Sequence, residues 1–336
     1  MRHVLVTGGA GYVGSHACRA LAKAGYLPVA LDNLSTGHRW AVRWGPLEIG
    51  DVADHKTVSA VMAKYRPLAV MHFAALSLVG ESASQPGRYY DNNVSGTLTL
   101  LQAMRSAGIE RFIFSSTCAT YGQPDSCPIA ETARQQPINT YGRSKLMVET
   151  ILRDFATAYG LHAIALRYFN AAGAAANDGI GEAHPCETHL IPLVIEAALG
   201  RRGPVQIFGT DYATPDGTCQ RDYIHVNDLA DAHVRALELS AQQSGFQAFN
   251  LGTGRPYSVR EIVAAVEARA GRAVPQQLGP RRPGDPDALF ADPARARAAL
   301  GWQARESDLD NIIGSAWAWH ASLAGAVSER EVRLAV

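Results

Sequence analysis

The chain has 336 residues, 47% of them apolar and 18% charged, with 31 basic against 31 acidic residues and no net charge. That balance argues against electrostatic capture of nucleic acid or of a membrane surface, and no apolar run approaches the ~18 residues of a membrane span. The length exceeds one typical domain, and five scattered cysteines (Cys18, Cys118, Cys127, Cys186, Cys219) point to reduced thiols in a cytoplasm. A first strand starting at residue 3 argues against a signal peptide.

Val4-Leu-Val6 is a short apolar run without alternation, as expected of a parallel strand buried on both faces. The glycines after it fit both G-x-G-x-x-G (Gly9, Gly11, Gly14) and the looser G-x-x-G-x-x-G (Gly8, Gly11, Gly14), with Tyr12 and Val13 inside the turn. Val13, Ala17, Ala20, Leu21 and Ala24 then recur at helical spacing. Glycine is needed where the turn is tight and where backbone approaches a pyrophosphate, and the helix N-terminus faces the phosphates. A second strand, from Pro28 to Leu31, ends at Asp32, about 20 residues beyond the glycines. A carboxylate there accepts hydrogen bonds from the adenosine ribose and repels a 2′-phosphate, which predicts NAD over NADP. A glycine-rich turn without a ligand is the competing reading, and strand, helix and acid together weigh against it.

The polar loop from Asn33 to His38, with Ser35, Thr36 and Gly37, is placed to wrap the adenosine. Leu47 to Ile49 is a short strand ending at Gly50-Asp51, followed by Val52, and Asp54 is set to cap the next helix. Leu68 to Phe73 reads as a buried strand leading into Ala74-Ala75-Leu76-Ser77. A long helix is expected from about Pro86 to Ala107, carrying Asp91-Asn92-Asn93; on it Gly96, Leu100 and Met104 recur at i+4 as an apolar seam. Arg111 to Ser115 is the next strand.

Tyr141-Gly-Arg-Ser-Lys145 then sits on a helix whose apolar stripe is Val148, Ile151, Leu152, Phe155 and Tyr159. Residues at i and i+4 share one helix face, so the ammonium can favour phenolate over phenol. A free tyrosine titrates near ~10 and needs such help to act as a base at neutrality. His162 to Tyr168 closes the series.

Repeated strand–helix units predict an α/β fold, a Rossmann-type doubly wound parallel sheet with right-handed crossovers. Ligands then lie outside the carboxyl ends of the strands. The glycine loop, Asp32, Asp51, Ala74 to Ser77, Ser115 to Thr117 and Tyr168 to Asn170 all fall there. After about residue 171 the pattern becomes loop-like, with an isolated strand at Phe249 to Gly252 and a helix from Ser258 to about Ala270, with Ile262, Val263 and Val266 inward. The expected division is residues 1–170 for NAD and 171–336 for a smaller α/β C-terminal substrate domain, interleaved with the end of the sheet. Trp302, Trp317 and Trp319 are read as packing residues. His184-Pro-Cys-Glu-Thr-His189 offers three metal ligands, but no second C-x-x-C or H-x-x-x-H element accompanies it. It is read as a polar substrate-facing loop, and no metal is expected.

Thr7-Gly-Gly-Ala-Gly-Tyr-Val-Gly14, Asp91-Asn-Asn93, Phe112-Ile-Phe-Ser-Ser-Thr117, Tyr141-Gly-Arg-Ser-Lys145 and Leu166-Arg-Tyr-Phe-Asn170 resemble the extended short-chain dehydrogenases/reductases. Asp216-Gly-Thr, Arg221-Asp-Tyr-Ile-His225 and Arg281-Arg-Pro-Gly-Asp285 narrow the resemblance to the UDP-glucose 4-epimerases, over residue 3 to about residue 320. Ser116-Thr-Cys-Ala-Thr-Tyr-Gly122 is similar to members that supply bacterial exopolysaccharide synthesis.

The resemblance implies that Tyr141 takes the proton from the sugar 4-hydroxyl while C4 passes hydride to NAD, and that the 4-keto sugar swings over before hydride returns to its other face. It places Thr117 on the same oxygen and Lys145 on the nicotinamide ribose. Gly8, Gly11, Tyr12, Val13, Asp32, Asn33, Ser35, Thr36, Gly37, Asp51, Val52, Phe73, Ala74, Ala75, Ser77, Asn92, Ser115, Tyr168 and Phe169 would complete the cofactor site. Asn170, His189, Leu190, Gln206, Phe208, Arg221, Tyr223, Arg282, Asp285 and Leu289 would hold the UDP-sugar, with arginine suited to a diphosphate by its planar fork. It also implies a homodimer built on the helices from about Pro86 to Ala107 and Tyr141 to Ala158.

Three positions depart from the pattern: Ser77 where some members have lysine, His189 where some have asparagine, and Leu289 where a tyrosine or a smaller residue gates the sugar pocket. His189 is expected to be a neutral ring donating one hydrogen bond. Rival readings are weaker on the residues. A nucleotide-sugar 4,6-dehydratase needs an Asp-Glu pair after the threonine, and here Cys118 and Ala119 follow Thr117. A reductive epimerase would prefer NADPH, which Asp32 opposes. A non-catalytic NAD-binding protein has no use for Tyr141, Lys145 and Thr117 together. The sugar itself stays open among UDP-hexose, UDP-N-acetylhexosamine and the UDP-pentoses xylose and arabinose.

Overall fold

The structure, a computed structural model, describes residues 2–282 and 284–334. Its first half alternates as the apolar runs require: β1 (His3–Thr7), α1 (Tyr12–Lys23), β2 (Leu27–Asp32), β3 (Leu47–Ile49), α2 (His55–Tyr65), β4 (Ala69–His72), α3 (Val79–Ser84), α4 (Pro86–Tyr89), α5 (Gly96–Ser106), β5 (Arg111–Thr117), α6 (Thr140–Tyr159) and β6 (His162–Tyr168). The second half follows with β7 (Asn170–Ala172), α7 (Leu190–Ala198), β8 (Val205–Phe208), β9 (Gln220–His225), α8 (Val226–Leu239), β10 (Gly245–Leu251), β11 (Pro256–Ser258), α9 (Val259–Ala270), β12 (Gln276–Gly279), β13 (Ala288–Leu289), α10 (Ala294–Leu300) and α11 (Leu309–Leu334).

Among the described residues, seven strands form one parallel sheet in the order β10-β6-β5-β4-β1-β2-β3. Strand order reverses between β1 and β4, the switch point at which such sheets bind ligands. The strands are apolar on both faces because both faces are covered. Val4 and Val6 pack with Leu21 of α1 and Leu229 and Leu237 of α8, while Leu5 packs on the other side with Val58, Leu100, Phe112 and Val148. Residues beyond 170 return to this sheet, since β10 pairs with β6 along its whole length and α8 covers the α1 face. A smaller sheet, β11-β9-β13 with β7 on β9, and a β8–β12 ladder carry the remaining strands. Against them α7, α9 and α11 share a separate apolar cluster around Ile191, Val263 and Ile312.

Several local expectations change. The buried face of α1 is Gly14, Ala17, Cys18 and Leu21; Ala24 lies past the helix end and is exposed. The long helix expected near Pro86 is two helices joined by a π-helical turn at Tyr90–Ser95, which carries the Asp91-Asn92-Asn93 motif. Gly96, Leu100 and Met104 do not form a free seam: Leu100 and Met104 are fully buried in the sheet's own core. Tyr159 drops out of the α6 stripe, half exposed beneath the Arg105 guanidinium. Ser258 starts α9 with a capping box to Glu261, and Ile262, Val263 and Val266 are buried as expected. Trp302 and Trp319 are buried and donate to the Asp228 and Glu182 carbonyls. No helix among the described residues is long and apolar enough to cross a membrane.

Candidate active site

The glycine loop is shaped by contacts that a side chain would destroy. Gly8 has φ +73, and a Cβ there would lie 2.6 Å from the Ala74 nitrogen at the end of β4. A Cβ at Gly14 would lie 2.1 Å from the Gly8 carbonyl oxygen. Gly11 is the N-cap of α1, with no side-chain cap and no acidic residue in the first turn. The first N–H groups of α1 are thereby left for an anion, which fits the pyrophosphate of a dinucleotide. Tyr12 turns away, its hydroxyl donating to the Gly173 carbonyl at 2.6 Å, and Val13 is half-buried.

Asp32 is buried at the tip of β2, accepting from the Ala10 and Leu34 nitrogens at 2.9 and 2.8 Å. A Cβ on Gly37 would come within 2.9 Å of its carboxylate. The following loop is held by Ser35 N donating to Asn33 Oδ1 and by Asn33 Nδ2 donating to Asp51. Ser35 and Thr36 stay exposed, and Val52 is buried against Gly96. At the end of β4, Phe73 donates its N–H to Thr7 and stacks on His233. The Ala74–Ser77 segment is clamped by Asn93, whose amide exchanges two bonds with the Leu76 backbone and donates to Ser144 on α6. Asn92 only donates to Asn93, and Ser77 is exposed. Asn93, not named as a site residue from the sequence, thus holds the Ala74–Ser77 segment.

Thr117, Tyr141 and Lys145 meet at the carboxyl end of β5. Asn139 caps α6 by accepting from the Gly142 N–H at 2.8 Å, fixing where the helix begins and so where Tyr141 points. Lys145 is 3% exposed, donates to the Ser115 carbonyl at 2.8 Å, and lies 6.0 Å from the Tyr141 ring centre. Ser115 Oγ in turn hydrogen-bonds the Tyr168 hydroxyl. Burial pushes the Tyr141 phenol up to about 12, with the Thr117 hydroxyl pulling it down and Cys118 pushing it further up. Burial brings the Lys145 ammonium down to about 7, against the pull of the Glu149 carboxylate. The expected ionised tyrosine is therefore not what the chain alone produces: desolvation dominates both groups. Nearby His72 is neutral, brought down to about 3 by burial and by Lys145, and wedged between the Thr7 and Thr97 hydroxyls.

The opposite wall comes from the second half of the chain. β9 carries Arg221 and Tyr223, Asn170 pairs with Tyr223, and Leu289 of β13 pairs with Arg221. Arg221 forms an ion pair with Asp285 and donates to the Pro286 carbonyl at 3.0 Å. Asp285 also closes a turn on the Arg282 carbonyl, and the Arg282 guanidinium lies 4.0 Å over the Phe208 ring. Gln206 and Phe208 share β8, and Gln206 abuts Gly279 of β12. Leu289 joins Phe169, Tyr121 and Cys118 in one apolar cluster. Pro283 of the Arg281–Asp285 motif lies outside the described residues. Asp222, missed as a site residue though it sits inside the Arg221–His225 motif, is buried and accepts from the Thr253, Gly254 and Ala291 nitrogens. It fixes the strand that presents Arg221 and Tyr223.

His189 and Leu190 begin α7. Glu182, His184, Glu187 and His189 gather within 4.8 Å of one another. The buried Glu182 carboxylate bonds His189 and lies 3.2 Å from His184. Burial opposes charge on both rings, but the two carboxylates outweigh it, raising His184 to about 10 and raising His189 also. The ring expected to be neutral is thus pushed toward the imidazolium, because its partner is an anion invisible in the local spacing. The segment reaches back to the glycine loop, with His184 edge-on to Tyr12 and His38 donating to the Ala183 carbonyl.

This fold and this tyrosine–lysine pair define a dinucleotide-dependent enzyme. The model of the NAD dependent epimerase/dehydratase family matches residues 4–252, and the chain belongs to that family. It is 55% identical over 318 residues, 95% of this chain and 97% of the relative, to a UDP-glucose 4-epimerase of Rhizobium leguminosarum bv. trifolii. A second, from Rhizobium meliloti strain 1021, is 53% identical over 95% of this chain and 97% of its own. Among solved structures, UDP-glucose 4-epimerase from Brucella ovis in complex with NAD superposes with a TM-score of 0.92 at 54% identity, over 94% of this chain and 98% of that one. The Stenotrophomonas maltophila UDP-glucose-4-epimerase with bound NAD and formylated UDP-arabinopyranose gives 0.94 at 43% identity, over 97% and 100%.

Proposed function

We propose that the protein is an isomerase that inverts C4 of a UDP-hexose, interconverting UDP-glucose and UDP-galactose, with NAD as its resident cofactor. The observation that carries this is the meeting of Tyr141, Lys145 and Thr117 at the switch-point side of the sheet, opposite a wall of arginines from β9 and the 281–289 segment. When bound, NAD takes a hydride from C4 and gives it back, so the sugar ends with no net change of oxidation state. Gly8, Gly11, Asp32 and the Asn33–Gly37 loop would hold its adenosine and pyrophosphate end, and Ser115, Tyr168 and Phe169 the other. Tyr141 takes the proton from the 4-hydroxyl and returns it after inversion. Thr117 hydrogen-bonds the same oxygen, and Lys145 supplies the positive charge that makes a phenolate accessible. Because burial, only partly offset by the Thr117 hydroxyl, pushes the phenol up to about 12, the base needs that charge in place before it can act.

Asn170, His189, Leu190, Gln206, Phe208, Arg221, Tyr223, Arg282 and Asp285 would bind the nucleotide and diphosphate. We read the Glu182–His189 cluster as a set of ion pairs tying the substrate loop to the glycine loop, since its histidines and carboxylates already satisfy one another. Functionally, residues 1–170 serve NAD and 171–336 the UDP-sugar, although β10 and α8 belong physically to the first unit. The homodimer is retained as part of the proposal, but not through Leu100 and Met104. The outward face of α5 and α6 is left for pairing, where Met147 is 45% exposed. Light scattering at micromolar concentration should give twice the chain mass. The five free cysteines accord with work in the cytoplasm. A panel of UDP-glucose, UDP-galactose, UDP-N-acetylglucosamine and UDP-xylose, with products read by NMR, tests the reading. UDP-xylose turned over far faster than UDP-glucose would replace the hexose with a pentose.

A further inference from the structure

Beneath the proposed reacting groups lies a buried ion pair that the mechanism above does not use. Glu149 is on α6, one turn beyond Lys145 and two beyond Tyr141, and is fully buried. Its Oε1 accepts from Ser116 Oγ at 2.6 Å and from Arg167 Nε at 2.9 Å; its Oε2 accepts from Arg167 Nη2 at 2.5 Å. Arg167 is 2% exposed and donates its remaining arm to the Tyr121 hydroxyl at 2.8 Å. That hydroxyl donates to Asn250, whose own amide is held by the Ile129 carbonyl.

The two strand anchors of this network adjoin residues of the site. Ser116 precedes Thr117, Arg167 precedes Tyr168, and Ser116 and Arg167 face each other across β5 and β6. A buried ion pair seldom adds stability over apolar packing, so its presence here calls for another role.

We propose that Glu149 is a positioning residue for the reaction: clamped by Arg167 and Ser116, its carboxylate keeps Lys145 charged and in place beside Tyr141. The groups around Lys145 leave Glu149 as its source of negative charge. From α6 come Tyr141, Glu149 and, beyond Glu149, the half-exposed Arg153 cation 3.4 Å from its Oε2; from β4, neutral His72; from β5, the Phe114 ring at 4.8 Å and the Ser115 carbonyl; from β6, Tyr168 and, beyond Glu149, the Arg167 cation. Cys118 faces Tyr141 from the loop after β5 and is held neutral by burial, which pushes its thiol up to about 12. In this dry setting the favourable field of Glu149 works against the burial that strips Lys145 of its proton. Arg167 holds the Glu149 carboxylate at a fixed place through two hydrogen bonds.

The proposal rests on the epimerase reading, and the test separates the two. The kcat and KM for UDP-galactose are measured from pH 6 to 10 on the NAD-loaded wild type, Glu149→Gln, Glu149→Asp and the double variant Glu149→Gln/Arg167→Gln, with thermal midpoint and bound NAD recorded for each. Loss of the carboxylate lets Lys145 deprotonate earlier. The alkaline limb of kcat in Glu149→Gln should therefore move about one pH unit toward acid, lowering kcat about tenfold above the limb with KM within about twofold. Glu149→Asp should restore most of the limb. The double variant, which removes the Arg167 cation together with its carboxylate partner, should fold and keep the displaced limb. Folded variants whose kcat falls equally at every pH, or whose profile overlays the wild type, would overturn the positioning role. A wild type with no activity on the UDP-sugar would instead overturn the epimerase reading.

Discussion

The wall built from β5, β6 and α6 and the wall built from β9, β13 and the 281–289 segment differ in how their polar groups are held. On the first, Thr117, Lys145, Glu149 and Arg167 are each less than a tenth exposed, and Lys145, Glu149 and Arg167 hydrogen-bond strand or helix partners. On the second, Asp285 is half-buried, Arg282 is exposed, and the contacts are an ion pair, a turn and a guanidinium over an aromatic ring. Reacting groups must be held to fractions of an ångström and tuned in proton affinity, which rigid elements and burial provide. A nucleotide must bind and leave, which the exposed Arg282 and the half-buried Asp285 on the 281–289 segment allow, with Arg221 presented from β9. Changes on the sheet wall should therefore strike kcat, and changes on the loop wall KM or substrate choice.

The sharpest test of that division is Tyr141→Phe, which removes the proton acceptor and leaves the ring. Turnover should fall roughly 10²–10⁴-fold with bound NAD unchanged by absorbance; near-normal rates would remove Tyr141 as the base. On the loop wall, Arg221→Gln leaves Asp285 without its partner and takes away a charged donor. A charged hydrogen bond is worth about 1.5–3 kcal/mol, so KM for the UDP-sugar should rise about 10- to 100-fold with kcat little changed. A fall confined to kcat would erase the contrast between the walls.

Leu289→Ser acts through shape alone. Discrimination by one apolar contact is about 1–3 kcal/mol, so the ratio of N-acetylhexosamine to hexose turnover should rise by about tenfold or more in a competition assay. An unchanged ratio would show that Leu289 is not the gate. The smallest effect should come from His184, whose folded-state value is raised to about 10 from 6.5. Its ion pairs with Glu182 and Glu187 stabilise fully below 6.5, and that stabilisation is lost as pH rises toward 10. The melting-temperature gap between wild type and His184→Gln should be widest near pH 6 and close by about pH 10.

Elements made by local pattern were legible in the sequence. The glycine loop, Asp32 at a strand end, the helix carrying Tyr141 and Lys145, and the parallel sheet all follow from apolar runs, glycine spacing and i, i+4 geometry. Long-range pairing was not legible. The partner of Glu149 on α6 is 18 residues away on β6, and the partners of Asp222 lie in the 252–254 turn and at Ala291. The seam expected from Gly96, Leu100 and Met104 failed because periodicity says that a face is apolar, not which surface it meets. The π-helical turn at Tyr90–Ser95 had no signal in spacing, yet it carries Asn93 into place to clamp the Ala74–Ser77 segment and α6. The upward shift of His189 had no local signal because Glu182 folds onto it from seven residues away.

One labelling experiment tests the account most directly. UDP-glucose carrying deuterium at C4 is incubated with the purified protein, without added cofactor, and the UDP-galactose formed is read by NMR and mass spectrometry. The account predicts product with the deuterium retained at C4, because the same hydrogen leaves and returns within one closed site. UDP-galactose with its C4 deuterium replaced by solvent hydrogen, or no UDP-galactose at all, would contradict it.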